Sequence, residues 1–572
     1  MWTLSKSHKS RLAIRAFKTM TDAIILQGSY MPSSPTGERL TEALAQLSPE
    51  IYGSMGDARV SELKGLEYVI DRMPKGIEHC RRIVLTAQED LRDTAFEEIM
   101  PLKRRRVSYR VSPDEMCCII TRGYSEIYDF LTHITFLHIE AEKIRDRVTL
   151  GDEYSPEWRE LERLVAMGEE PQGEELDRAL WNLSVLLGRA YGETRDSYLA
   201  LAKTSGPGGA NNSLFRIIHD IGRRLIDERE KRRERLRISF TPSLQEVIGH
   251  HRYGGIWATN IKNKLRELGL HERPLHIISA NMHSVANILF AAGMLRQNGE
   301  KAPDDLYAMI RLMRSRDMSS LAFAAHYGLT FLEDVSGAGI EAQIIDTAFL
   351  SSQVTHPALA FNERFVHDEK PVILVMDYAF GEQAFEVLDE LLSPGESGHE
   401  ETEDACRVCP LRRVASISIM GKAGILPGKK GDVMLATAHV MEGMPHNYLV
   451  DNDLSAVDFG ADVAVYRGPM VTVLGTSLQN RDVLERFATS SWRAVGLEME
   501  GGHYQRAINA GVIRGHIARD VKIRYAYYAS DNPLQSGQTL ASGPMGEDGI
   551  VPTYLITRVI LEKILNPAGG AP

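Results

Sequence analysis

The chain has 572 residues, 43% of them hydrophobic, and 66 Lys and Arg against 77 Asp and Glu, a net charge of −11. That length exceeds what one hydrophobic core usually sustains, so at least two domains are expected. The acidic balance argues against nonspecific attraction to nucleic acid or to an anionic membrane surface. No stretch approaches the roughly 18 uninterrupted apolar residues of a membrane-spanning helix. Five cysteines (Cys80, Cys117, Cys118, Cys406, Cys409) are too few and too scattered for a disulfide framework, which points to a reducing, cytoplasmic setting.

In chain order, residues 1–18 (MWTLSKSHKSRLAIRAFK) are basic and faintly amphipathic but lack the apolar block of a secretory signal, and read as a solvated first helix. From Lys64 to Arg237 apolar residues recur every three or four positions, which predicts long antiparallel helices over 74–101, 115–148, 174–203 and 212–237. The second is the best signalled: Ser112 offers a cap, Pro113 a first-turn proline, and Asp114 and Glu115 suit the helix dipole. The clearest break is TSGPGGANN, 204–212. Residues 1–240 are therefore expected to form an all-α helical domain, with 241–273 a helical connector. The run RRLIDEREKRRERLR, 223–237, mixes both signs of charge and reads as a solvated helix rather than a nucleic-acid contact.

Pro274 then opens an alternation of short apolar strands (275–280, 371–376, 414–420, 432–436, 470–474, 494–498, 522–529) with helices (382–392, 480–489, 501–510, 552–565). The alternation predicts an α/β domain over 274–572 with a mostly parallel twisted sheet covered on both faces, binding ligands at the carboxyl ends of its strands.

Three strand ends carry chemistry. After 414–420 comes GKAGILPGKKGDV, where Gly421 and Gly424 let backbone approach a ligand and exposed amides can hold an anion. Strand 494–498 runs into LEMEGG; Glu498 and Glu500 share a face on which a carboxylate can accept two hydrogen bonds from vicinal hydroxyls, or can simply cap the next helix. Strand 522–529 ends in Ser530-Asp531-Asn532-Pro533. An Asx-turn is the plain reading of that ending, yet an Asp in a dry pocket can deliver a proton.

In order and spacing, GKAGILPGKKGDVMLATAHV, VGLEMEGGHYQRAINAG and YYASDNPLQSGQTL resemble the Gly-rich turn, the Val-x-Met-Glu-Ala helix entry and the Ser-Asp motif of the nucleoside phosphorylase/nucleosidase superfamily. The last segment is most similar to the AMP nucleosidase group, in which Ser-Asp is followed one residue later by Pro-Leu. The resemblance covers roughly residues 274–566. It implies a nucleoside-phosphorylase-like three-layer domain that self-associates into a homo-oligomer and cleaves the N-glycosidic bond of a purine nucleotide or nucleoside by hydrolysis or phosphorolysis. No cofactor is implied, and inorganic phosphate is the candidate second ligand.

Residue by residue, the resemblance implies Met499 and Glu500 against the ribose with Glu498 beside them. Asp531 would be the acid that protonates the purine's imidazole-ring nitrogen, and Gly421, Lys422 and Gly424 would lie near phosphate or attacking water. Lys422 stands where the family has a small residue or His. The first loop, Asn281-Met282-His283-Ser284, lacks the carboxylate that methylthioadenosine nucleosidases use to activate water, which leaves Asp377 and Glu382 as spare carboxylates. Leu478 stands where those enzymes place a base-stacking aromatic. These departures keep open an alternative, a purine-nucleotide-binding regulatory protein without turnover.

Other clusters point to metal only weakly, and no metal is expected. Cys406-x-x-Cys409 with His399 has no second Cys pair. His138 and Glu142, one helical turn apart beside His133 and Glu140, suit packed polar contacts. His250-His251-Arg252 is either an interdomain turn or a phosphate-holding cluster led by Arg252.

Overall fold

The apolar run EMCCI, expected to open a long helix, is instead a strand (Glu115–Ile119) in the computed structural model. The structure describes residues 5–92, 94–103, 106–150, 153–204, 213–394, 413–461, 463–535 and 545–567. Two compact units emerge, residues 1–250 with 477–483, and residues 251–476 with 484–572. No helix among the described residues is long and apolar enough to cross a membrane.

The first unit is not all-α. Its strands are β1 (Ser29–Tyr30), β2 (Arg82–Thr86), β3 (Glu97–Ile99), β4 (Ser108–Ser112), β5 (Glu115–Ile119), the hairpin pair β6 (Thr149–Leu150) and β7 (Glu153–Tyr154), and β8 (Arg237–Phe240). Six of them form a sheet in the order β1-β8-β2-β5-β4-β3. Ser112, Pro113 and Asp114 turn a hairpin between β4 and β5, while β5 lies parallel to β2. A run of four apolar residues after Glu115 fits a period of 2 as well as 3.6, and the RIVLT partner that decides for the strand lies far upstream, Arg82 opposite Glu115, in what read as helix. The helix of that region starts only at Gly123 and runs to Val148.

Gly123–Val148 is buried along most of its length, charged residues included. Each buried charge has an opposite neighbour, as desolvation demands: Arg106 meets Glu126 at 3.0 Å and Asp129 at 3.4 Å, and Lys143 meets Glu140 at 2.8 Å. The first helix, Lys6–Gln27, is not solvated all round, since Ile14, Phe17, Ile24 and Ile25 are buried. Nor is 223–237 one solvated helix: Leu214–Arg229 buries Arg224, Asp227 and Glu228, and Arg237 opens β8.

The second unit contains β9 (Leu275–Ser279), β10 (Leu329–Leu332), β11 (Ala342–Asp346), β12 (Val372–Met376), β13 (Val414–Ile425), β14 (Val433–Met441), β15 (Asn447–Leu449), β16 (Val465–Thr472), β17 (Gly496–Glu498) and β18 (Lys522–Asp531). They lie in the order β10-β11-β12-β9-β13-β17-β16-β14-β15, and β18 pairs with both β13 and β14. The sheet is mixed rather than mostly parallel, with five of its ten pairings antiparallel. The physical reason is closure: β13, β17, β16, β14 and β18 pair in a ring, and the ring closes through the antiparallel β13–β17 and β14–β18 contacts.

Helices Met282–Gln297 and Ile550–Leu565 share one apolar core with Ile278, Ile373 and Val375 of the sheet. Helices Arg252–Glu267, Gln383–Leu392 and Gly501–Arg514 pack together elsewhere: Gly254 lies against the Glu386 backbone, and Arg514 pairs with Asp389 at 2.9 Å.

Candidate active site

Residues 421–424 are strand, not turn. β13 continues to Ile425 and pairs in parallel with β18, Gly421 opposite Tyr527, Lys422 opposite Tyr528 and Ala423 opposite Ala529. The register then slips so that Gly424 faces Asp531, leaving Ser530 as the extra residue of a bulge. On its other side Gly424 pairs with Leu497 of β17. One glycine therefore joins the strand that ends in Asp531 to the strand that ends in Glu498. The amides of this stretch were expected to cradle an anion from a loop; those of Gly424 belong instead to ladders on both sides.

Asp531 is 2% exposed. Its Oδ1 accepts a hydrogen bond from Ser530 Oγ, which also reaches the Ala423 carbonyl at 3.3 Å, while Oδ2 has no hydrogen-bond partner among the described residues. Burial pushes the carboxyl above its ordinary range, against the opposing pull of Ser530 and the Lys422 charge. A buried acid with one idle oxygen is suited to hold a proton and pass it on.

Glu498 and Glu500 have different environments. Glu498 is buried with both oxygens committed: Oε1 meets Thr472 Oγ1 at 2.5 Å and His439 Nδ1 at 3.3 Å, and Oε2 accepts the amides of Glu500 (2.6 Å) and Gly501. Burial alone would raise its pKa, but these partners hold it below the ordinary value. Sitting at the N-terminus of Gly501–Arg514, it orders the strand end and leaves no lone pair for ribose, a correction to its expected ribose role.

Glu500 is half-buried and accepts the Gly381 amide at 3.1 Å. Burial, then the Glu498 charge, push its carboxyl up to about 8, although the Gly381 and Met499 amides and Lys422 favour the ionised form. Met499 between them is 9% exposed. Lys422 is exposed at its strand position, and its charge bears on both Glu500 and Asp531. The structure thus brings Gly421, Lys422, Gly424, Glu500 and Asp531 into one neighbourhood.

Some expected residues have structural duties. Ser284 Oγ donates to the Asn281 carbonyl at 2.7 Å and receives Thr557 Oγ1 at 2.8 Å, closing the start of Met282–Gln297. Exposed His283 lines a cavity of about 500 Å³ with Asn281, Tyr528 and Tyr554. Glu382 pairs with Arg506 at 3.6 Å, and Asp377 accepts the Tyr378 amide at 2.9 Å. Arg252 is an exposed first residue of Arg252–Glu267. Leu478 is 1% exposed and belongs to the segment grouped with the first unit, so it offers no stacking face. His138, 3.8 Å from Glu142, is driven down to about 3 by burial and by Arg224, Arg229 and Arg145, surroundings that repel a metal cation. His133 contacts Tyr52 Oη at 3.2 Å, and Glu140 is held by Lys143, as packed polar contacts. His399, Cys406 and Cys409 lie outside the described residues.

Sequence reasoning missed Tyr378. It is 40% exposed, its ring edge would stand 3.5 Å from a methyl on Gly421, and it hydrogen-bonds Tyr528. The available signal was its place directly after Asp377 at the end of β12. His439 and Thr472 were also missed, because they serve the site only through Glu498.

The profile of a family of unknown function (DUF6909) matches residues 38–311 and 305–566, and the chain belongs to that family. No curated protein matches the sequence. Among solved structures, the chain is similar to futalosine hydrolase of Helicobacter pylori at 12% identity, over 50% of this chain and 97% of that one, with a TM-score of 0.30. It is similar to 5′-methylthioadenosine/S-adenosyl homocysteine nucleosidase of Campylobacter jejuni at 10% identity, over 51% and 98%, with a TM-score of 0.29. Isoform 2 of uridine phosphorylase from Schistosoma mansoni is similar at 12% identity, over 54% and 93%, with a TM-score of 0.29.

Proposed function

We propose that this member of the DUF6909 family cleaves the N-glycosidic bond of a purine nucleoside or nucleotide, with Asp531 as general acid and Glu500 at the ribose. The observation that carries the reading is the pairing of two carboxyls raised by burial with one cation: idle, buried Asp531 Oδ2, Glu500, and Lys422 acting on both. As the bond between C1′ and the base breaks, its electron pair goes to the purine. Asp531 delivers a proton to the imidazole-ring nitrogen and so prevents the accumulation of a base anion, help typically worth ~10²–10⁴ in rate. The sugar left behind is oxocarbenium-like, and Glu500, which ionises as pH rises toward about 8, stabilises it in the carboxylate form while holding the ribose hydroxyls. Lys422 attracts the phosphate: either a 5′-phosphate, with water forming the new bond to C1′ and giving up its proton to solvent, or the inorganic phosphate that itself bonds to C1′. Tyr378 supplies the exposed aromatic face that Leu478 does not, beside Gly421.

The test is incubation with AMP, adenosine and inosine, with and without phosphate, followed by chromatography for free base. Base release that falls steeply in Asp531→Asn is expected; unchanged release in that variant would sink the mechanism. One observation favours a second reading, binding without turnover: the first loop offers no carboxylate, and Ser284 is spent on Asn281 and Thr557. Calorimetry with AMP separates the two, because a binding protein shows saturable heat with no base released.

A further inference from the structure

The first unit holds a cavity of about 600 Å³ unrelated to the chemistry above. Arg81, Arg223, Arg224, Arg232 and Arg233 line it with His79, Pro113 and three aspartates, Asp114, Asp220 and Asp227. Five guanidinium groups against three carboxylates make a local positive excess in a chain of net charge −11. The aspartates are already engaged. Asp227 takes Arg81 and Arg223, each at 3.0 Å; Asp220 takes His219 at 2.8 Å and His79 at 3.7 Å; Asp114 accepts Ser112 Oγ at 3.0 Å. Arg232 is paired with Glu230, so the excess rests on Arg224 and Arg233.

Arg224 is the telling residue. It is 3% exposed, Nη1 reaches the Ile77 carbonyl at 3.4 Å, and Nη2 has no hydrogen-bond partner among the described residues. Leaving a buried guanidinium nitrogen unpaired costs free energy unless an acceptor arrives. Glu78 and Glu228 are near enough to favour its charge, but Glu228 is spent on Ser33 Oγ and the Leu236 amide. Arg232, paired with Glu230 at 2.8 Å, and Arg233 are exposed at the rim.

We propose that this cavity binds a compact polyanion of the oligophosphate class, with Arg224 at its floor and Arg232 and Arg233 closing on it from the rim. Planar guanidinium groups match phosphoryl oxygens in pairs, and several around one cavity select high charge density. Except for Pro113 the lining has no apolar side chain and no Phe, Tyr or Trp, so a nucleobase adds nothing to affinity. Glu78, His79 and Asp220 do bring three metal-type ligand atoms within 4.8 Å of one another. The surrounding arginines repel a cation, however, and Asp220 is held by two histidines.

The test is calorimetric titration of the full chain at low salt with tripolyphosphate, pyrophosphate, orthophosphate and ADP, and separately with Zn²⁺ and Mg²⁺ alone. Tripolyphosphate is expected to bind most tightly and the metals not at all; the part of the heat that depends on Arg232 and Arg233 is expected to be no larger for ADP than for pyrophosphate, since a purine nucleotide also has the proposed site at Glu500 and Asp531 to enter. The double variant Arg232→Ser/Arg233→Ser, at exposed positions that do not threaten folding, is expected to weaken tripolyphosphate binding roughly tenfold or more. Arg224→Gln is expected to do the same, and Lys301→Ala, at an exposed lysine outside the lining, to leave the binding unchanged. The proposal is overturned by no heat at millimolar anion, by undiminished binding in the Arg232/Arg233 variant, by an equal loss in Lys301→Ala, by an Arg232/Arg233-dependent heat clearly larger for ADP than for pyrophosphate, or by metal binding alone.

Discussion

Glu500→Gln removes one charge and little else, because glutamine can still accept the Gly381 amide that Glu500 accepts at 3.1 Å. A carboxyl held above its ordinary range binds its proton more tightly in the folded than in the unfolded chain. Its effect on stability is therefore absent below the ordinary value of 4.5, grows as pH rises toward about 8, and is constant above that. At ~1.4 kcal/mol per pH unit, the span from 4.5 to about 8 corresponds to at most about 5 kcal/mol of destabilisation. Glu500 keeps some contact with solvent, which screens the charge and reduces the effect to about 2–3 kcal/mol. The variant is thus expected to match wild type near pH 4.5 and to exceed it by roughly 3–6 °C in melting temperature at pH 9. Glu386, which burial also pushes up to about 8, imposes a parallel fall on both proteins and cancels from the difference. Thermal melts of both proteins at half-unit steps from pH 4.5 to 9 make the assay, with base release measured on the same samples. The variant is expected to gain stability as it loses turnover. A constant offset across the range, or a gap that widens toward acid, would refute the reasoning that Glu500 is stored in an unfavourable charged state for function.

Asp531→Asn is expected to lower kcat by about 10²–10⁴ with KM little changed, since the amide keeps the volume and the Ser530 contact but carries no acidic proton; equal losses in kcat and KM with Asp531→Ala alone would instead indicate a packing role. Tyr378→Leu is expected to raise KM for nucleosides severalfold while sparing kcat, measured by initial rates on adenosine, and an unchanged KM would remove Tyr378 from the base site. Gly501→Ala places a methyl against His439 and Tyr527 and is expected to cost about 1–3 kcal/mol in chemical denaturation. Arg106→Met strands Glu126 and Asp129 in the first unit, with an expected loss of about 3–5 kcal/mol; a variant as stable as wild type would show that water reaches the pair.

The second unit's central strands were legible because each is a short apolar run between turn signals, as in LHIISA and VILVM. The first unit misled for the opposite reason. Its strands are two to five residues long, shorter than the window in which a period of 2 separates from 3.6, and the pairings β1–β8, β2–β5 and β2–β8 join segments far apart in sequence. The antiparallel edge strands β10 and β15 left no mark, because half-exposed segments such as LTFL and NYL carry neither a continuous apolar run nor a clean alternation. In the site, residue identity pointed to Asp531, Glu500 and Lys422, whereas the division of labour between Glu498 and Glu500 depends on donors from elsewhere in the chain. His439, Thr472 and Gly381 come from three different strand ends or loops.

That division explains why the glycines matter more than their flexibility suggests. A parallel strand pair cannot by itself bring the ends of β17 and β18 together, because the two strands are not neighbours; both must pair with β13. Gly424 is the residue at which they do, Asp531 on one side and Leu497 on the other. The approach is close enough that a methyl on Gly496 would come within 2.6 Å of the Gly424 carbonyl. The Ser530 bulge then turns the last residue of β18 by one place, so that Asp531 rather than Ser530 stands opposite Gly424. Deleting Ser530 would keep the acid opposite Gly424 but straighten the bulge that aims its carboxyl and remove the hydroxyl on its Oδ1, while leaving every other site side chain present. Retained nucleoside affinity with turnover lost to the level of Asp531→Asn is the expected outcome, read by calorimetry and base release together. Retained turnover would show that the position of the acid is not set by the bulge.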